Sequence, residues 1–231
     1  MPYALNLHHV DTAFASGELL DAGKRVTFQV HELGRLLVTS GTIAAADPFV
    51  LPNATPYVQV VPNGRHPVCV AVARFDNGDE RVAFARTRFA DSMPTAWKMA
   101  LAPGQDPAGL GPDDYFGYGV DSGTGCFMDP VAGRSLSQLM DADSNYYDAV
   151  DEEMQKTYRP TWSWLDWRPS KGCEENIICF SSGWGDGSYA SYFGFDADGR
   201  LSALVTDFAV LCGKEAPPRP KAPWWQFWKQ S

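Results

Sequence analysis

Histidine is scarce in this sequence and confined to one end: His8, His9, His31 and His66 are the only four among 231 residues. A nucleophile in the later two-thirds of the chain has no base nearby in sequence, so the local signature of a Ser–His or Cys–His enzyme is missing. Neither a Gly-x-Ser-x-Gly elbow nor a phosphate-binding Gly-x-x-x-x-Gly-Lys-Ser string occurs. The cysteines (Cys69, Cys126, Cys173, Cys179 and Cys212) are odd in number and lack paired metal-ligand spacing. Reduced thiols in a cytoplasm are the simplest expectation. No window approaches the roughly 18 apolar residues of a membrane span, and the N-terminus lacks the basic start and apolar run of a secretory signal.

Basic residues are also few, 19 Lys and Arg against 28 Asp and Glu, for a net charge of −9. Residues 214–231 carry +3, which leaves −12 on the preceding 213 residues. Such a field repels nucleic acid and steers basic partners toward the chain.

What is present is β-rich. With 45% hydrophobic residues the chain can bury one large core. The stretch 176–211 organises the reading: three apolar runs, Ile177 to Phe180, Tyr189 to Phe195 and Leu201 to Leu211, are divided by Gly-Trp-Gly-Asp-Gly and by Asp196-Ala-Asp-Gly199. Asp-Gly pairs favour tight turns, so these runs are expected to form a three-strand antiparallel meander, with Gly185 or Gly187 at positive φ. Upstream, Arg25 to Leu33 and Arg35 to Ala46 flank Gly34 and are expected to pair. His66 to Phe75 and Glu80 to Phe89 flank Asp-Asn-Gly-Asp and predict a second hairpin, and Trp97 to Ala102 a short strand. Residues 103–114, rich in Gly, Pro and Asp, predict a loop. Glycines alternating with aromatics from Tyr115 predict a strand crowded by another backbone, then a bend at Ser122 to Gly125.

One helix stands out. Tyr146, Tyr147, Val150, Met154 and Tyr158 follow helical spacing, Ser144 suits the N-cap, and Asp148, Asp151, Glu152 and Glu153 sit where the helix dipole favours negative charge. Ser135 to Met140 suggests a single preceding turn. The expected class is α+β, predominantly antiparallel sheet (sandwich or curved) with one main helix, in one domain over residues 1–213. Residues 214–231 follow as a Pro-rich spacer ending in Trp224, Trp225, Phe227 and Trp228, four rings that either dock on the domain or act as a linear motif for a partner.

Several groupings bear on function. Asp121-Ser-Gly-Thr-Gly-Cys126, with Asp129, holds carboxylates, hydroxyls and a thiol. It reads either as a glycine-bent turn or as the centre of a hydrolase or transferase, with Cys126 or Ser122 as nucleophile and Asp121 or Asp129 as acid or base. Asp186, Asp196, Asp198 and Asp207 are crowded, yet Asp196-x-Asp198-Gly199 lacks the further ligands of a calcium loop, and turn chemistry explains them with fewer assumptions. Trp162, Trp164 and Trp184 invite a sugar-stacking surface, against which stands ordinary aromatic core packing.

Long strings in the chain resemble a bacterial family catalogued as domain of unknown function 4241, over most of residues 25–212. They are Gly34-Arg-Leu, Asp47-Pro48, the run Tyr118 to Asp129, Ser182-Gly-Trp-Gly-Asp-Gly-Ser-Tyr189 and Phe195-Asp-Ala-Asp-Gly-Arg200. That family lends no activity. More locally, Gly185-Asp-Gly-x-Tyr189 followed by Asp196-x-x-Gly199 and Asp207 looks like a strand-turn pattern of the SUKH superfamily of toxin-immunity proteins, and the tail looks like tails encoded near polymorphic toxin systems. These likenesses, with the acidic body, imply a protein-binding module, most concretely an immunity protein occluding a basic toxin domain. Trp184, Asp186, Tyr189, the acidic residues Asp148, Asp151 and Glu152, and the tail rings would be its contacts. No metal and no cofactor is implied.

Overall fold

A computed structural model describes residues 3–50, 54–143, 145–169 and 172–211. Trp224, Trp225, Phe227 and Trp228, Cys212, and the expected N-cap Ser144 lie outside the described residues.

The chain opens with helix α1 (Leu7–Phe14), where the sequence shows no strong periodicity; the Asn6 side chain caps it, and Val10 and Ala13 are its buried anchors. A larger sheet follows, built from β1 (Glu18–Asp21), β2 (Lys24–Val38), β4 (Gly64–Phe75), β5 (Glu80–Arg88), β6 (Ala96–Met99), β7 (Gly117–Val120), β11 (Gly187–Phe195) and β12 (Leu201–Asp207). Its order is β1-β2-β4-β5-β12-β11-β6, with β7 also on β11, all antiparallel, and it curls into a half-barrel. A smaller sheet runs β3-β8-β10-β9, from β3 (Ala44–Ala46), β8 (Thr124–Met128), β10 (Ile177–Ser181) and β9 (Trp164–Trp167). Two helices, α2 (Pro130–Ala142) and α3 (Tyr146–Gln155), share an apolar cluster with it.

The α+β class and the antiparallel sheet are as expected, as are the β4–β5 and β11–β12 hairpins. Three expectations are corrected. Residues 25–46 do not form a pair of strands: one strand of 15 residues runs through Gly34 with a register shift between Glu32 and Gly34, and pairs with β1 and β4. Glycine there admits a bulge in place of a turn. The three-strand meander is not formed either, because β10 leaves for the smaller sheet. Its residues explain the departure: Ile178 and Phe180 enter the main core while Ile177 and Cys179 enter the α2–α3 cluster, so both faces are covered. An open hairpin beside β11 would leave one of those faces in water.

Helices number three among the described residues, not one. The segment from Ser135 belongs to the 13-residue α2, which starts earlier at an Asp129 cap followed by Pro130, whose missing N–H costs nothing at that position. In α3 Tyr146, Val150 and Met154 are buried as expected, but Tyr147 lies exposed just inside it and Tyr158 beyond its end.

Candidate functional site

Two glycine-bearing turns meet at one end of β7 and β11. Their pairing runs to Val120 opposite Gly187, so Asp121 and Asp186, both exposed, leave the two strands side by side. The Ser182 N–H donates to the Gly123 carbonyl at 3.0 Å, and a Cβ on Gly123 would lie 3.8 Å from Gly185 Cα. The crowding expected of this aromatic–glycine strand is present, since a Cβ on Gly117 would sit 2.7 Å from the Tyr189 carbonyl oxygen.

Each turn is locked from within. Asp47, fully buried, accepts from the N–H groups of Asp121 (2.9 Å) and Ser122 (2.7 Å), from the Ser122 hydroxyl (2.9 Å) and from the Phe49 N–H (2.9 Å). In the second turn the Tyr189 hydroxyl lies 3.1 Å from the Ser182 carbonyl and 2.7 Å from that of Gly185, and the Ser182 hydroxyl donates to Gly185 at 2.9 Å. Positive φ falls on Gly185 (105°), as expected of it or of Gly187, and also on Gly183 (53°).

Between these locks stands Trp184, 56% exposed. Its ring stacks on Phe75 at 6.0 Å and 28°, and the Arg81 guanidinium lies 4.7 Å from its centroid, held by Asp79 at 3.1 Å. A ring braced this way has little side-chain freedom left to lose on contact with another surface.

Of the residues marked in the sequence, Trp184, Asp186 and Asp121 share this plate. Tyr189 is buried beneath it and positions the turn without facing solvent. Ser122 has its hydroxyl committed to Asp47. Asp129, 1% exposed, accepts from Thr39 (2.6 Å) and Ser40 (2.8 Å) N–H groups and caps α2 through Val131 (2.7 Å). Cys126 is sealed: it is 0% exposed, and burial, then the neighbouring Cys179 and Asp47, push its thiol well above the usual range. A thiol held protonated is a poor nucleophile. Among the described residues no histidine hydrogen-bonds to Ser122 or Cys126; His66 Nε2 lies 2.7 Å from the Pro62 carbonyl, and the His31 ring packs against Trp162, tilted, at 4.8 Å.

Asp148, Asp151 and Glu152 are exposed on α3, which packs against β9 and α2. The crowded aspartates disperse. Asp196 accepts the N–H groups of Asp198 and Arg200, Asp198 pairs with Arg200 at 3.1 Å, and Asp207 is buried beside Tyr3. Among the described residues no three His, Cys, Asp or Glu side chains are placed to hold a metal. Trp162 is 2% exposed and donates its Nε1–H to Glu80 at 3.1 Å, so its face is not available for stacking a sugar.

A family model described as Protein of unknown function (DUF4241) matches residues 36–206. The chain belongs to that family. The DUF4241 match takes in Asp47, both turns, Trp184 and Asp129, and leaves out α1 and β1. No curated protein and no solved structure matches the chain. The residue that sequence reasoning missed is Asp47, which Asp47-Pro48 marks only as a strand end. Phe75 and Arg81, the braces of Trp184, carried no sequence signal because they lie over a hundred positions upstream of it.

Proposed function

We propose that this DUF4241 chain is a protein-binding module that docks a basic surface of another protein, most concretely an immunity protein that occludes a toxin domain. The observation that carries this reading is Trp184, braced by Phe75 and Arg81 yet 56% exposed on a double turn flanked by Asp121 and Asp186. A pre-ordered indole loses little side-chain freedom on binding, and flanking carboxylates select a cationic neighbour. The charge of −12 on residues 1–213 steers the same class of partner. The reading also agrees with what became of the groups a hydrolase would use: Ser122, Asp129 and Cys126 are spent on structure.

The test is co-expression with the protein encoded immediately upstream, followed by titration of the purified pair. A stoichiometric complex is expected, weakened about tenfold or more by Trp184→Ala with unfolding unchanged. No complex with that partner, or turnover of a substrate panel that Cys126→Ala abolishes, overturns the proposal.

A further inference from the structure

A second site lies on the larger sheet where β2, β4 and β5 run together, one residue along from Phe75 and Arg81, the braces of Trp184. Register defines it. Thr27, Arg74 and Glu80 form one cross-strand row, and Gln29 and Val72 the next, so their side chains project to the same side. They enclose a trough of about 250 Å³ lined by Thr27, Phe28, Gln29, Val72, Arg74 and Glu80.

Glu80 is held in place, while the other polar groups are unspent. Trp162 donates to Glu80 Oε2 at 3.1 Å, and the Thr161 hydroxyl donates to the Glu80 carbonyl, which fixes the residue at both ends. Oε1 is left facing Arg74 Nε at 4.0 Å, an ionic contact too long for a hydrogen bond. Among the described residues the Thr27 hydroxyl, the Gln29 carboxamide and both Arg74 Nη groups bond to no protein atom, and Arg74 is 67% exposed. A fixed carboxylate and an exposed guanidinium therefore stand 4.0 Å apart, with an amide and a hydroxyl alongside.

We propose that this trough binds an α-amino acid through its carboxylate and adjacent N–H, either as the free molecule or as the C-terminal residue of a peptide. The planar Arg74 fork matches a carboxylate in two parallel hydrogen bonds, Glu80 Oε1 accepts from the nitrogen one carbon away, and Gln29 and Thr27 take the remaining polar edge. The volume falls below the roughly 300–1,000 Å³ of pockets for drug-sized ligands, which limits the occupant to about one residue. This proposal stands apart from the docking of a basic protein at Trp184.

The experiment titrates the full chain with each of the twenty free amino acids, their N-acetyl derivatives and their N-acetyl amides, following the Gln29 side-chain amide by NMR. At least one carboxylate-bearing ligand is expected to saturate with a dissociation constant of about 1 mM or tighter. Its carboxamide counterpart should bind about tenfold more weakly or not at all, and Arg74→Ala should cause the same loss without changing the fold. A preference for the free ammonium form that Glu80→Gln removes identifies the free amino acid; a preference for the N-acetyl form identifies a chain terminus. No saturable shift with any carboxylate ligand, or binding unchanged in Arg74→Ala, overturns the proposal.

Discussion

Asp207 ends β12 with its carboxylate almost closed from solvent, 8% exposed, and no cation among the described residues pairs with it. It accepts from the Tyr3 hydroxyl at 3.1 Å and the Ala209 N–H at 2.8 Å, with a cavity of about 10 Å³ beside it lined by Tyr115 and Ser188. Burial dominates these two bonds and pushes the carboxyl up to about 6. The native state therefore binds a proton that the unfolded chain, near 3.8, has released. Stability should fall as pH rises from about 4 to 6 and then level off, the reverse of a salt-bridged aspartate. Asp207→Asn, which keeps an acceptor and removes the charge, should flatten that slope and stabilise the chain at pH 7 by on the order of 2 kcal/mol. Denaturant unfolding at pH 4, 5, 6 and 7 measures both, and a variant with the parent slope would show that the carboxyl is ionised throughout.

The turn from β10 to β11 is the element on which the site depends, and its glycines are unequal. A Cβ on Gly183 would meet Val210 Cγ2 at 2.8 Å and Phe208 Cβ at 2.9 Å, on top of a positive φ. Gly185 has the positive φ but open space around it, and Gly187 has neither, only the Tyr189 ring at 3.2 Å. Gly183→Val should therefore cost about 3 kcal/mol or more, Gly185→Val about 1–2 and Gly187→Val less than either. Thermal melts of the three variants rank them; an equal loss from all three would mean that backbone sign does not govern this turn. Local reasoning located the turn from its Gly-Trp-Gly-Asp-Gly composition. Which glycine was essential depended on Phe208 and Val210, residues beyond two further strands.

At the scale of the whole molecule, the proposed docking would present two acidic surfaces to a basic partner. Asp141, Asp143, Asp148, Asp151, Glu152 and Glu153 fall within 13 residues without a Lys or Arg between them, and the ion pair found on α3 is Glu153 with Lys156. Charge on a surface this open governs encounter more than residence. Asp148→Lys with Asp151→Lys should slow association with the partner several-fold at low salt and leave dissociation nearly unchanged, whereas Trp184→Ala should act on dissociation. Stopped-flow or surface kinetics at two ionic strengths separates these effects, and identical on-rates at low salt would remove α3 from the encounter surface.

The sequence alone determined what nearest neighbours decide. The β4–β5 and β11–β12 hairpins follow from Asp-Asn-Gly-Asp and Asp-Ala-Asp-Gly turns, and the buried face of α3 follows from Tyr146, Val150 and Met154 at helical spacing. Trp184, Asp186 and Tyr189 could be marked because they cluster in one short string. Tertiary structure alone decided which sheet received β10, because Ile177 to Phe180 are apolar on both faces and contain nothing that names a partner strand. It also decided that Cys126 is closed, that Asp47 reaches 75 residues to clamp Ser122, that Trp162 is spent on Glu80, and that Phe75 and Arg81 brace Trp184. Turn and helix preferences are properties of adjacent residues. Solvent exclusion and strand partnership arise from contacts between segments that meet only when the two sheets pack.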